Sequence, residues 1–275
     1  MNPIFKRIYK RLHELDKNYL AIFCGQTGSG KSESCIELAR NIDDNFSSEN
    51  IVFSVEEFFE LLNSGTLKKG ACIVWEELGV SADSRNFFSL QNRAITFVFE
   101  TFRHYNLAVL MNVPGLGMID SRVRKLAHQY FETMSINRSR KVCKCKVFDI
   151  EYNPRLDKTY YKYPRIYVGG EVVTVENMEF SKPPDYLVLP YQKMKGEFTK
   201  TLNMGLAESL KTAKIDKTVR TLDIGDIVKT VLADKDKFVH VYHGEDRVKA
   251  SLLMAEFNIG KVSAEKCKSA IELKF

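Results

Sequence analysis

The segment YLAIFCGQTGSGKSESCIELARNI, residues 19–42, decides the fold. Its first six residues are apolar and end at Gly25, which predicts a buried strand. Its last eleven, residues 32–42, carry Ile36, Leu38 and Ile42 at positions from which a helix can pack. A glycine-rich turn separates the two. This order predicts a strand, a tight turn and a helix that open an α/β sheet.

The turn Gly25–Ser32 fits the pattern G-x-x-x-x-G-K-[ST] at every fixed position. Glycines let the backbone curl so that N–H groups face phosphates, and the following helix N-terminus favours anions. Lys31 is placed to reach the β- and γ-phosphates, and the Ser32 hydroxyl to ligate Mg²⁺. The alternative is a chance match, which would not supply the strand before it and the helix after it. The residues expected to bind the nucleotide are Gly25, Gln26, Thr27, Gly28, Ser29, Gly30, Lys31, Ser32 and Glu33.

The remaining pattern alternates between strands and helices as far as residue 132. Such alternation predicts a mostly parallel sheet with helices on both faces. The predicted strands are 51–55, 71–77 and 107–113, and the predicted helices are 4–15, 56–65, 86–105 and 120–132. After residue 132 the pattern changes, and 141–153 and 159–168 are predicted to extend the sheet with antiparallel strands. Residues 191–218 are rich in lysine, which favours a helix plus a linker.

Two adjacent carboxylates, Glu76 and Glu77, end the predicted strand CIVWEE. A carboxylate at the end of a strand beside the phosphate-binding turn is what a Mg²⁺ site requires. We therefore expect Glu76 on the metal side and Glu77 as the group that polarises the attacking water. The alternative is an acidic strand end without a role, since such carboxylates are common on surfaces.

The next strand is preceded by Arg103 and carries Asn112 near its end. A polar side chain at that strand tip would lie beside the γ-phosphate and could sense its loss. Arg103 could enter the site of a neighbouring subunit and neutralise charge in the transition state. The alternative for Arg103 is a solvated helix end, where a cation is favourable in any case.

The order GQTGSGKS, CIVWEELG, TFRHYN and LAVLMNVPGLGMIDSRVRKLAHQYFE resembles the HerA–FtsK superfamily of DNA-pumping P-loop ATPases. It looks closest to small archaeal, viral or plasmid members and to Zot-like phage assembly ATPases, over about residues 15–165. The resemblance implies ATP and Mg²⁺ as cofactors, a hexameric ring, Arg103 acting in trans and double-stranded DNA in the pore. The sequence departs from the family in two places: Glu76 replaces the usual Asp, and Asn112 stands where many members have Gln.

A separate helical unit is predicted over residues 219–275. A helix with Val248, Leu252 and Ala255 on one face, the turn 258–260, and a helix with Val262, Cys267 and Ile271 resemble a helix-turn-helix or winged-helix domain. In that case the residues facing DNA would be Lys261, Ser263, Lys266 and Lys268. The alternative is a three-helix oligomerisation or protein-docking domain.

Composition sets broad limits on the class of protein. The net charge of +6 is compatible with nucleic acid without showing it. No apolar run reaches the roughly 18–20 residues of a membrane span, and the N-terminus does not resemble a secretory signal. The six cysteines fit a reducing, cytoplasmic compartment. Cys143 and Cys145 are expected on one sheet face and make a poor zinc site.

These observations predict three segments: an ATPase domain at 1–200, a linker at 201–218 and a helix-turn-helix-like domain at 219–275. The predicted function is Mg²⁺-dependent, DNA-stimulated ATP hydrolysis that drives DNA translocation or packaging. Two alternatives stay open, a Zot-like virion assembly ATPase and a DNA-bound regulatory or partitioning NTPase without pumping.

Overall fold

The computed structural model describes residues 2–76, 96, 98–99, 105–219, 224–242, 245–257, 259 and 261–274. The chain divides into two compact units, Met1–Leu202 and Asn203–Phe275. The helices up to this boundary are α1 (Pro3–His13), α2 (Lys31–Ile42), α3 (Val55–Asn63), α4 (Ser121–Leu126) and the start of α5 (Asp185–Val219). The strands of the first unit are β1 (Tyr19–Cys24), β2 (Ile51–Val52), β3 (Cys72–Trp75), β4 (Ala108–Val113), β5 (Gln129–Asn137), β6 (Val142–Asn153), β7 (Lys158–Lys162), β8 (Arg165–Val168), β9 (Glu171–Thr174) and β10 (Asn177–Ser181).

An eight-stranded sheet forms the centre of the first unit. Its order is β10-β6-β5-β1-β4-β3-β2, and β7 pairs with β6. The run from β5 to β2 is parallel, whereas β6 pairs with β5, β7 and β10 in the antiparallel sense. Strands β8 and β9 form a separate hairpin. The predicted α/β class, with a mostly parallel sheet and an antiparallel extension, is therefore confirmed.

Strand β1 lies between two hydrophobic cores and sends alternate side chains to each. Tyr19, Ala21 and Phe23 enter one core, which also holds apolar residues of α1, α2 and α5. Leu20, Ile22 and Cys24 enter the other, which holds residues of α3 and α4. Because a strand buried on both faces has no polar side, its sequence is apolar throughout. Helices cover both faces of the sheet, as predicted.

Two predicted elements end earlier than the sequence indicated. Strand β2 has two residues because Ser54 already caps α3, its hydroxyl accepting from the Glu57 N–H at 3.0 Å. The predicted helix 120–132 stops at Leu126, and the residues from Gln129 onward form β5. Residues from Gln129 onward form a strand because they pair with β1 and β6. These tertiary contacts override a spacing of apolar residues that is compatible with a helix.

Residues 201–218, predicted as a linker, are helical, because α5 runs without a break from Asp185 to Val219. After Pro190 this helix contains no proline and only two glycines, Gly196 and Gly205. It is rich in Lys and Leu, which favour helix. The predicted strand 159–168 is two strands, since Pro164 lies between β7 and β8. Most of the predicted helix 86–105 lies outside the described residues.

The second unit contains a small core of its own. Its later elements are α6 (Ile224–Ala233), α7 (Lys235–Phe238), β11 (Val239–Tyr242), β12 (Glu245–Val248), α8 (Ala250–Phe257) and α9 (Lys261–Glu272). Cys267 and Ile271 of α9 are buried there, whereas Val262 is 72% exposed. On α8 Leu253 is buried, whereas Leu252 is half-buried and Ala255 is exposed. Val248 lies in β12, so the predicted helix face of Val248, Leu252 and Ala255 is wrong. Asn258 and Gly260 of the predicted turn lie outside the described residues. None of the helices that the structure describes is long and apolar enough to cross a membrane.

Candidate nucleotide site

The turn between β1 and α2 depends on its glycines. Gly25, Gly28 and Gly30 have φ values of +151°, +77° and +90°, a region that L side chains rarely adopt. At Gly25 a Cβ would overlap the Thr133 hydroxyl, and at Gly30 it would lie 3.0 Å from Cys143 Sγ. The backbone therefore curls closely against its neighbours, as a loop that turns N–H groups toward phosphates must do.

Two strands beside the loop hold it in place. Thr133 of β5 donates through Oγ1 to the Cys24 carbonyl at 3.0 Å, and its hydroxyl lies 2.6 Å from Ser29 Oγ. The Cys143 thiol of β6 donates to the Ser29 carbonyl at 3.3 Å. Lys31 Nζ donates to the Gln26 carbonyl at 2.8 Å. Thr133 and Cys143 have no local sequence signature as loop supports, because strand pairing brings them there.

Ser32, Glu76 and Asn112 meet at the mouth of this loop. Ser32 Oγ donates to Glu76 Oε2 at 2.9 Å. Asn112 Nδ2 lies 2.9 Å from Ser32 Oγ and 2.9 and 3.0 Å from the two carboxylate oxygens of Glu76. Glu76 is fully buried. The sequence predicted this convergence, because β1, β3 and β4 are parallel and their carboxyl ends share one edge.

Helix α5 adds two residues that the sequence did not predict. Tyr191 OH donates to Glu76 Oε2 at 3.2 Å, and Lys195 Nζ lies 3.5 Å from the same oxygen. The Tyr191 ring packs on Phe53, with ring centroids 6.3 Å apart. The i, i+4 spacing of Tyr191 and Lys195 puts both on one helix face. That spacing does not indicate which site the face covers.

The charges in this cleft influence one another. Burial lowers the pKa of Lys31, the Glu76 carboxylate opposes this shift, and the Lys195 ammonium adds to it. Burial raises the pKa of the Tyr191 hydroxyl, and the charge of Glu76 raises it further. Tyr191 is therefore a neutral donor at ordinary pH. The site combines one buried carboxylate, two lysine ammonium groups and a helix N-terminus.

The cleft has a volume of about 420 Å³. Its lining residues are Thr27, Gly28, Gly30, Lys31, Ser32, Glu33, Glu76, Asn112, Pro114, Ile136, Tyr191 and Lys195. Asn112 Oδ1 is buried and has no hydrogen-bond partner among the described residues. Hydroxyl, carboxylate and carboxamide oxygens are the kind of ligand that Mg²⁺ takes, and the glycine loop suits phosphates. The residues present thus fit a nucleotide with its magnesium ion.

The other predicted site residues are placed as follows. Gly25, Gln26 and Ser29 lie in the loop but not in the lining of the cleft, and Ser29 turns toward Thr133. Glu77 and Arg103 lie outside the described residues. In the second unit Lys261, Ser263 and Lys266 are exposed on α9, and Lys268 is half-buried.

No family model matches this chain, and no curated protein matches it. Among solved structures it is similar to the N-terminal domain of zonular occludens toxin from Neisseria meningitidis, at 12% identity and a TM-score of 0.34 over 58% of this chain and 95% of that one. It is also similar to EssC (ATPases 2 and 3) from Geobacillus thermodenitrificans, at 11% identity and a TM-score of 0.34 over 70% of this chain. This chain covers 45% of the EssC chain. The genome packaging NTPase B204 from Sulfolobus turreted icosahedral virus 2 is similar at 11% identity and a TM-score of 0.28, over 54% of this chain and 98% of that one.

Proposed function

We propose that this chain is a Mg²⁺-dependent ATPase. The observation that carries the proposal is the group of Ser32, Glu76 and Asn112, joined by contacts of 2.9–3.0 Å at the mouth of the glycine loop. A hydroxyl from the loop and a carboxylate from a neighbouring strand are the two groups with which P-loop enzymes hold magnesium. The complete loop motif supplies the phosphate-binding part of such a site.

Each residue has a proposed task in this reaction. The backbone N–H groups of Gly25–Gly30 bind the phosphates, and Lys31 neutralises the β- and γ-phosphates. Ser32 and Glu76 would hold Mg²⁺, which when bound offsets charge that develops on the phosphate oxygens. Glu77 polarises the attacking water, and Asn112 lies beside the γ-phosphate, where its Nδ2 holds Glu76.

We further propose that hydrolysis is coupled to duplex DNA in a ring of subunits, to which Arg103 contributes in trans. The support is the family resemblance of residues 101–132 and the exposed Lys261 and Lys266 on α9. Exposed lysine cations fit the phosphates of a duplex. The protein would then be a DNA translocase or packaging motor.

Nucleotide binding and turnover test the enzymatic part. We expect the chain to bind and hydrolyse ATP with Mg²⁺, Lys31→Ala to lose binding, and Glu77→Gln to bind ATP without turnover. Lys10→Ala, at an exposed lysine of α1, is the matched control and should behave as wild type. Binding that is unchanged in Lys31→Ala, or an absence of turnover in the wild type with and without DNA, would overturn the proposal.

Duplex DNA tests the coupling. A motor should hydrolyse ATP faster with duplex DNA and should displace a triplex-forming strand. Turnover that responds to DNA without strand displacement would point to a DNA-bound regulatory NTPase. Turnover indifferent to DNA would refute the coupling and favour an assembly ATPase.

A further inference from the structure

Tyr191 and Lys195 enter the cleft from a helix that begins more than 150 residues after the glycine loop. They lie one turn apart on the same face of α5. Lys195 Nζ lies 5.7 Å from the centroid of the Tyr191 ring, so the tyrosine supports the lysine side chain. The position of the ammonium is therefore set by packing as well as by charge.

Both side chains contact the same oxygen of Glu76. Oε2 accepts from Tyr191 OH at 3.2 Å and lies 3.5 Å from Lys195 Nζ. The same oxygen accepts from Ser32 Oγ at 2.9 Å. Because the hydroxyl at this loop position binds the Mg²⁺ that joins the β- and γ-phosphates, Lys195 lies near the position expected for the γ-phosphate.

The simplest role for Lys195 is to neutralise the buried carboxylate of Glu76. Two observations indicate a further role. Glu76 already accepts from three neutral donors, Ser32, Asn112 and Tyr191. The Lys195 side chain is 36% exposed and lines the cleft together with Lys31. A lysine ammonium is a compact charge on a flexible stem, so it can contact Glu76 and a phosphate oxygen together.

We propose that Lys195 is a second phosphate-binding cation, which makes the site select a nucleoside triphosphate over a diphosphate. Tyr191 is a positioning residue that holds Glu76 and the Lys195 stem. The inference rests on the proposed function, since it assigns these residues to the same nucleotide site. Lys31 serves both nucleotides, whereas Lys195 serves only the one with a γ-phosphate.

Equilibrium binding of ATPγS and ADP to the full chain tests the role of Lys195. Lys195→Met keeps the length of the stem and removes the charge. We expect it to weaken ATPγS binding about tenfold, the size of one charge-assisted hydrogen bond, and to change ADP binding less than about twofold. Lys195→Arg should retain most of the preference, and Lys31→Ala should weaken both nucleotides.

Lys193→Met is the matched control, because Lys193 is an exposed lysine on the same helix and does not line the cleft. It should bind both nucleotides as wild type. Equal losses for ATPγS and ADP in Lys195→Met, or no loss for either, would overturn the assignment. If the wild type bound neither nucleotide, the proposed function itself would fail, which is a different result.

Tyr191→Phe tests the positioning role, since it removes only the hydroxyl and keeps the ring that packs on Phe53. We expect the Mg²⁺ concentration for half-maximal ATPγS binding to rise about threefold or more, because Glu76 loses a hydrogen bond that orients it. Tyr186→Phe, at an exposed tyrosine of the same helix, is the control. An unchanged Mg²⁺ midpoint in Tyr191→Phe would show that the hydroxyl has no positioning role.

Discussion

Asn112 places its side-chain amide 2.9 and 3.0 Å from the two carboxylate oxygens of Glu76, while its own carbonyl oxygen has no hydrogen-bond partner in the described part of the chain. The two ends of one carboxamide thus face different environments. The NH₂ group satisfies a buried carboxylate without adding charge.

Replacing that carboxamide with a carboxylate tests how much Glu76 depends on a neutral donor. We expect Asn112→Asp to lower the free energy of unfolding by about 2–4 kcal/mol, because two carboxylates would face each other in a buried site. Asn112→Ala removes more atoms but adds no charge, so it should lower the free energy of unfolding by less. Urea unfolding of both variants measures the difference, and the reverse order would contradict this account.

Substitutions at Gly28 and Gly30 distinguish the cost of backbone strain from the cost of a steric clash. Both have positive φ, but only Gly30 has a neighbour within reach of a Cβ, Cys143 Sγ at 3.0 Å. We expect Gly28→Ala to cost about 1 kcal/mol of unfolding free energy and Gly30→Ala about 2–3 kcal/mol. Equal losses for the two variants would mean that Cys143 yields to the added methyl group.

His128 should make stability depend on pH. Its Nδ1 lies 3.0 Å from the Leu20 N–H and its Nε2 lies 2.6 Å from Arg11 Nη2. Burial, followed by the charge of Arg11, lowers its pKa from 6.5 to about 3. Below about pH 6.5 the unfolded chain binds a proton that the folded chain does not, so stability falls as the pH falls from there toward 3.

Between pH 7.5 and 5 this effect amounts to about 2 kcal/mol of unfolding free energy. His128→Gln keeps a side-chain acceptor near the Leu20 N–H but cannot titrate. Its unfolding free energy should therefore fall about 2 kcal/mol less than that of the wild type over the same range. Parallel pH curves for the two proteins would show that His128 is not the group responsible.

If the exposed lysines of α9 contact DNA phosphates, replacing them should change the salt dependence of DNA binding. Lys261→Glu with Lys266→Glu should weaken binding and make the slope of log K against log salt shallower by about two, one for each lost phosphate contact. The control is Lys229→Glu with Lys235→Glu, which makes the same charge change at exposed lysines of α6 and α7. If both pairs alter the slope equally, net charge and not α9 is responsible.

The proposed role of Arg103 in trans can be tested by mixing variant and wild-type subunits. If Arg103 completes the site of a neighbour, Arg103→Ala mixed with wild type should depress ATP turnover below the wild-type mole fraction. An Arg103→Ala subunit would then inactivate the otherwise intact site of its neighbour. ATP turnover that falls linearly with the mole fraction of the variant would mean that Arg103 acts within its own subunit or has no role in hydrolysis.

The part of the fold that follows from local sequence could be predicted. The apolar run before Gly25 predicted β1, and the ends of parallel strands brought Ser32, Glu76 and Asn112 together as expected. Residues 129–132 could not be assigned locally, because pairing of β5 with both neighbours outweighs their helix-compatible spacing. Tyr191 and Lys195 lack any motif, and their approach to Glu76 depends on how α5 packs against the sheet.

Strand β2, with only Ile51 and Val52, ends the described sheet on the β3 side. An edge this short offers too few open backbone groups to template a strand from another copy, which is a common route to aggregation. Within the described residues, this edge therefore gives another copy little backbone to pair with. A contact between copies at this edge would depend on side-chain packing.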